Sequence, residues 1–99
     1  MECYNELFEV CIEALAGEDM TTQEAAVDGL GALAGTIQEQ AALSQLLTLA
    51  GSEFEGIRQH TASALKHFDS PQAKEVLSQL RQDSHHRVVG AALENLLEN

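Results

Sequence analysis

The sequence predicts an all-α chain of six short antiparallel helices stacked in pairs. Three observations carry that prediction. Leu and Ala supply most of the apolar residues, while aromatics are confined to Tyr4, Phe8, Phe54 and Phe68, with no Trp; Leu and Ala are strong helix formers and suit helices packed at short distances. Helix-start signals recur along the chain, and nothing alternates with period two over a useful length, so strands are not expected. The chain also repeats itself after a displacement of 31 residues, as stacked helix pairs do.

The first helix is expected over 2–16. At ~100° per residue Glu2, Glu6, Glu9 and Glu13 fall within a ~60° arc opposite Tyr4, Leu7, Cys11 and Leu15. The second, over 22–34, opens on Thr21-Thr22-Gln23-Glu24, a capping-box pattern in which a hydroxyl serves the third helical N–H and the glutamate reaches back. Its Gly29 and Gly31 lie among Ala25, Ala26, Ala32 and Ala34. That reads as close helix packing, despite the ~1 kcal/mol each glycine costs against alanine. The third helix, 37–50, opens on Thr36-Ile37-Gln38-Glu39, and the fourth, 53–67, on Ser52-Glu53-Phe54-Glu55. The fifth, 71–82, starts with Ser70 as cap and Pro71 in the first helical position. The sixth, 85–97, is capped by Asp83 or Ser84. Gly17, Gly35 and Gly51 stand where helices end on a left-handed residue.

Under the 31-residue displacement Ala42, Leu46 and Leu49 fall on Ala73, Leu77 and Leu80, and Ile57 and Leu65 on Val88 and Leu96. Ile12 and Leu15 fall on Leu43 and Leu46, and the second helix joins with a one-residue slip. A pair of such short helices cannot bury its apolar face alone, which is the physical reason to stack pairs. Ninety-nine residues suffice for one small domain, 1–99.

The run Ile57-Arg58-Gln59-His60-Thr61-Ala62-Ser63-Ala64-Leu65, followed by Asp69-Ser70-Pro71 and Asp83, resembles a HEAT repeat of the phycobilin lyase type. Asp83-Ser84-His85-His86-Arg87-Val88-Val89-Gly90-Ala91-Ala92-Leu93 is similar to the start of the next repeat. The likeness is strongest from Ser52 to Asn99. It implies a right-handed α-α superhelix of about three repeats, in which the first, third and fifth helices line the concave side. The family's valine–arginine pair is present as Ile57-Arg58, and Val89 takes the arginine's place in the last unit. A continuous Asp–Arg ladder is therefore not expected. The resemblance speaks to architecture, because packing positions define the family.

Net charge is −11, and it is unevenly placed. Eleven acidic residues precede Arg58, with no Lys or Arg among them; from Arg58 onward five acids face five bases. Such a field repels nucleic acid and anionic membrane, which are bound by neutralising phosphates, and attracts a basic partner. It also serves solubility. The start has no basic region of a signal peptide, and no apolar run nears the ~20 residues of a membrane span. Cys3 and Cys11 stand eight residues apart in one helix, ~12 Å along the axis, too far for a disulfide. Both read as small apolar residues in a reducing compartment, the cytoplasm.

His85 and His86 raise the question of a metal. Neighbours on a helix point ~100° apart, whereas helical metal pairs are spaced by three or four. His60 and His67 are seven apart, ~10.5 Å along the axis. No metal and no cofactor are expected. Deoxyhypusine hydroxylase, a HEAT-like enzyme, holds iron with His-Glu dipeptides; His60, His67, His85 and His86 are followed here by Thr, Phe, His and Arg. No nucleophile–base motif or phosphate-cradling glycine loop occurs, so an enzyme is not expected.

The surfaces left for function are the concave faces and the ends. The first runs from Glu2, Glu6, Glu9 and Glu13, through Gln38, Ser44, Gln45 and Thr48, to Lys74, Ser78 and Arg81, graded from acidic to basic. In the last helix Val88, Val89, Ala92, Leu93, Leu96 and Leu97 span roughly 180°, wider than one neighbouring layer covers. A homodimer through Val89, Leu93 and Leu97, a further packed segment, or a core that wraps further round each account for that width. The sequence thus reads as a non-catalytic protein-binding scaffold or adaptor favouring a basic protein. Its rivals are an acidic immunity protein masking a cationic toxin or nuclease, and a non-catalytic subunit of a bilin lyase-like enzyme.

Overall fold

A computed structural model describes residues 3–97 of the chain, with side chains over 4–94. Six helices follow in order: α1 (Cys3–Leu15), α2 (Met20–Gly31), α3 (Glu39–Leu49), α4 (Glu55–Leu65), α5 (Pro71–Leu80) and α6 (His86–Leu97). No strand occurs among the described residues. α2, α4 and α6 lie side by side in one row, α3 and α5 pack against that row, and α1 runs along α2 at its end. The Cα atoms span 38 × 30 × 16 Å. Two rows of helices with axes about 10 Å apart and a Cα radius of about 2.3 Å account for the short dimension. This is the α-α solenoid that the repeat pattern predicts.

Between the rows the seam is aliphatic. Leu30, Leu33, Leu46, Leu65, Leu77 and Val88 are fully buried. Of the positions matched by the 31-residue displacement, Ala42, Leu43, Leu46, Ile57, Leu65, Ala73, Leu77, Leu80 and Val88 are buried, whereas Leu15 and Leu49 are half-buried. Thr61 is buried among them, and its hydroxyl donates to Ile57 O at 2.7 Å, so the group is satisfied within its own turn. Both glycines inside α2 sit at close approaches. A β-carbon on Gly29 would stand 2.7 Å from Cys11 Sγ of α1, and one on Gly31 2.9 Å from Ala64 Cβ of α4. α2 is thus held tight on both flanks by the side chains it lacks.

The helix ends depart from expectation in instructive ways. α2 starts at Met20, with Asp19 as N-cap, whose carboxylate accepts from the Thr22 hydroxyl. Glu24 is therefore not a capping residue. The Thr36 box does not form as expected: α3 starts at Glu39 with Gln38 as N-cap, Thr36 Oγ1 accepts from Gln38 N at 3.1 Å, and Glu39 Oε1 accepts from Gly35 N at 2.5 Å. Ser52 accepts from Phe54 N at 3.1 Å, ahead of a helix that begins only at Glu55. Ser70 caps α5 as expected, with Pro71 behind it. Of the three terminal glycines only Gly35 is left-handed, at φ 81°. Gly17 and Gly51 instead bond back to Ala14 O and Thr48 O at 3.2 and 3.1 Å, closing their helices on tight i→i−3 turns that any residue can adopt.

One ion pair ties successive repeats. Arg58 of α4 donates from Nε to Asp83 Oδ2 at 2.7 Å and from Nη2 to Asp83 Oδ1 at 3.0 Å, while Nη1 donates to Ser52 O at 2.8 Å. Asp83 Oδ1 also accepts from His85 N at 2.9 Å, so the same carboxylate orients the start of α6. These contacts hold Asp83 below the usual carboxylate range, chiefly through the Arg58 hydrogen bonds, and raise Arg58 in return.

Candidate functional site

α1 carries the acidic strip. Glu6, Glu9 and Glu13 are exposed, as their arc predicts; Glu2 lies outside the described residues. The opposite side of α1 is less covered than expected. Cys11 is buried, but Tyr4 and Leu7 stay 45% and 37% exposed, because α2 is the helix that α1 chiefly packs on. Burial pushes the Cys11 thiol up.

Of the residues expected on the graded face, Lys74 and Ser78 are exposed on α5 and Arg81 at its C-cap, and Ser44 and Thr48 are exposed on α3. Gln45 is half-buried. Gln38, also half-buried, donates its amide to Asn5 Oδ1 and so ties α1 to the start of α3. On α6, Val88 and Ala92 enter the core, whereas Val89 is half-buried and Leu93 39% exposed beside an open Gly90. The side chains of Leu96 and Leu97 lie outside those described.

The histidines are structural neighbours. His85 precedes α6, its carbonyl accepts from Val89 N, and its Nδ1 accepts from Arg87 N at 3.3 Å. The 100° rule therefore does not hold for this pair, and the two rings stack with centroids 5.0 Å apart. His85 Nε2 also lies 3.6 Å from Glu55 Oε1. His60 stands between two carboxylates one turn apart on α2, with Nδ1 2.9 Å from Asp28 and Nε2 3.6 Å from Glu24. It is a clasp between α2 and α4 that no spacing in the sequence announced. Among the described residues no three of His, Cys, Asp and Glu gather closely enough for a metal.

A cleft of about 360 Å³ runs past the starts of α2, α4 and α6, lined by Glu24, Phe54, Glu55, His60 and Arg87 among others. A second, of about 250 Å³, lies between α1 and α2 and is apolar but for Thr22. Sequence reasoning missed this groove. The available signal was Val10, an apolar residue on α1 between Glu6 and Glu13 and clear of the core arc.

No helix among the described residues is long and apolar enough to cross a membrane. No curated protein and no solved structure matches the chain. The family of HEAT repeats matches it over residues 8–97, from within α1 to the end of α6. With the paired rows, the buried 31-residue repeat and the Arg58–Asp83 tie, that match establishes that the chain belongs to the HEAT repeat family.

Proposed function

We propose that this chain is a single-domain, non-catalytic protein-binding scaffold or adaptor whose acidic N-terminal half favours a basic protein partner. HEAT repeats commonly serve as protein-interaction scaffolds. The observation that carries the finer reading is the exposed strip Glu6, Glu9 and Glu13 in a half-chain with no Lys or Arg before Arg58. Such a field steers a cationic surface and fixes its orientation. The test is capture from native lysate by the chain and by its Glu6→Lys, Glu9→Lys, Glu13→Lys variant. A partner held at about 50 mM salt, released at about 500 mM and not held by the variant is expected. A partner retained equally by both removes the acidic strip from the interface. Tight one-to-one capture of a cationic toxin or nuclease would turn the scaffold into an inhibitor.

The C-terminal end favours one addition. Leu93 is exposed and Val89 half-buried on α6, an apolar face that no described helix covers. We infer self-association there, with Leu97 as the third contact. A dimer mass by light scattering that Leu93→Glu reduces to a monomer is expected. A monomer mass for the unaltered chain ends this reading.

A further inference from the structure

The groove between α1 and α2 is built by the close approach of the two helices at Gly29. Because Gly29 has no side chain, Cys11 sits against it and forms a floor only 3% exposed. Leu7 and Val10 stand along one wall, 37% and 61% exposed, and Ala25 on the other is exposed too. At about 250 Å³ the groove is smaller than the roughly 300–1,000 Å³ of small-molecule sites. Its size suits one or two apolar side chains.

The rim says whose side chains these are. Glu6 and Glu13 flank Val10 at spacings of four and three, so they lie one turn to either side of it on the same face. Across the groove the exposed Glu18 and Asp19 lead into α2, while Asp28, three residues from Ala25, gives its carboxylate to His60 on α4. Along the chain no Lys or Arg precedes Arg58, on α4, and none lines the groove. A seat that is apolar at its centre, with Glu6 and Glu13 along α1 and Glu18 and Asp19 at the entry to α2, complements an apolar stripe bordered by cations. A second copy of this chain would bring a net charge of −11 to the same rim, against which like charges work.

We propose that the α1–α2 groove seats the apolar face of a Lys- or Arg-rich amphipathic helix on the partner protein. The inference rests on the reading of the chain as a binder of basic proteins, and adds the place and the contacts. The groove then supplies the anchor and the acidic rim supplies orientation, the division expected of a helix-in-groove complex.

The probes are three synthetic helix-forming peptides. The first has Leu at helical spacing on one face and Lys elsewhere. The second is a scramble of identical composition and charge, and the third replaces each Lys by Glu. Fluorescence anisotropy at about 150 mM salt should give the first at least about tenfold tighter binding than the scramble. That is what burying one large aliphatic side chain supplies. Val10→Asp and Ala25→Glu should abolish that margin even though each adds a charge that attracts Lys. Both positions are exposed, and unchanged far-ultraviolet circular dichroism checks that the variants fold. Equal, salt-sensitive binding of peptide and scramble, indifferent to both variants, overturns the groove and leaves the basic-partner reading standing. Binding of the Glu peptide as tightly as the Lys peptide overturns the charge argument, and no binding of any peptide overturns both. A dimer of this chain that Val10→Asp dissociates gives the groove to a second copy and overturns the proposal.

Discussion

A β-carbon placed on Gly31 meets Ala64 Cβ at 2.9 Å and Ala64 Cα at 3.2 Å, and neither atom belongs to a side chain that can swing aside. At Gly90, on the outer side of α6, the same carbon meets nothing within 4 Å. Both residues are helical with ordinary φ, so alanine gains about 1 kcal/mol of propensity at either. At Gly31 overpacking of about 1–3 kcal/mol opposes that gain. Gly31→Ala is expected to lower stability by about 1 kcal/mol net, and Gly90→Ala to raise it by about 0.5–1 kcal/mol. Urea unfolding of the two variants checks this. A rise at both positions would mean that α2 and α4 separate readily, and the tight flank assigned to Gly31 would be lost. Glycine was legible as a packing residue from its alanine neighbours, but which helix it faced was not.

α4 and α6 are joined by a charged tie as well as by apolar contact. Arg58 and Asp83 keep only 16% and 11% of their side-chain surface exposed, so removing one partner strands the other. Asp83→Asn is expected to cost about 2–3 kcal/mol at neutral pH. The carboxyl is held below its ordinary range when folded, so its contribution is complete above an unfolded value of about 4. It is lost as pH falls through the folded value. Unfolding measured from neutral pH down to about pH 2 should therefore show a steeper acid loss in the parent chain than in Asp83→Asn. Parallel curves would mean that Asp83 contributes nothing to the acid limb. The pair Ile57-Arg58 and the following Asp83 were visible as a family pattern. Asp83 was also visible as a candidate cap, and its carboxylate accepts from His85 N, but that the helix begins only at His86 was not legible. Helix starts shifted for a related reason: Asp19 and Thr22 satisfied one another locally, leaving Glu24 to reach His60 on α4.

Across the whole molecule charge and shape divide unevenly. The half-chain that holds eleven of the sixteen acids is also the half where α1 leaves an apolar groove beside α2, while the exposed cations Lys74 and Arg81 sit on α5 and at its C-cap. A field of that kind is summed over distances comparable to the Debye length of about 8 Å at physiological salt. It can therefore be read from residue order alone. Helix number, the pairing and the leucine seam were readable for a like reason. Periodicity of 3.6 and a stacking repeat are properties of neighbours along the chain. The groove, the His60 clasp and the stacked His85–His86 rings depend on how near two helices come and where a helix begins. Those distances are set by single missing side chains such as Gly29 and Gly31, and by which of several competing polar groups captures a free backbone N–H. By itself the sequence determined a negatively charged stack of paired helices. Only the tertiary structure decided where that stack leaves apolar surface open, because gaps follow from contacts between residues far apart in the chain.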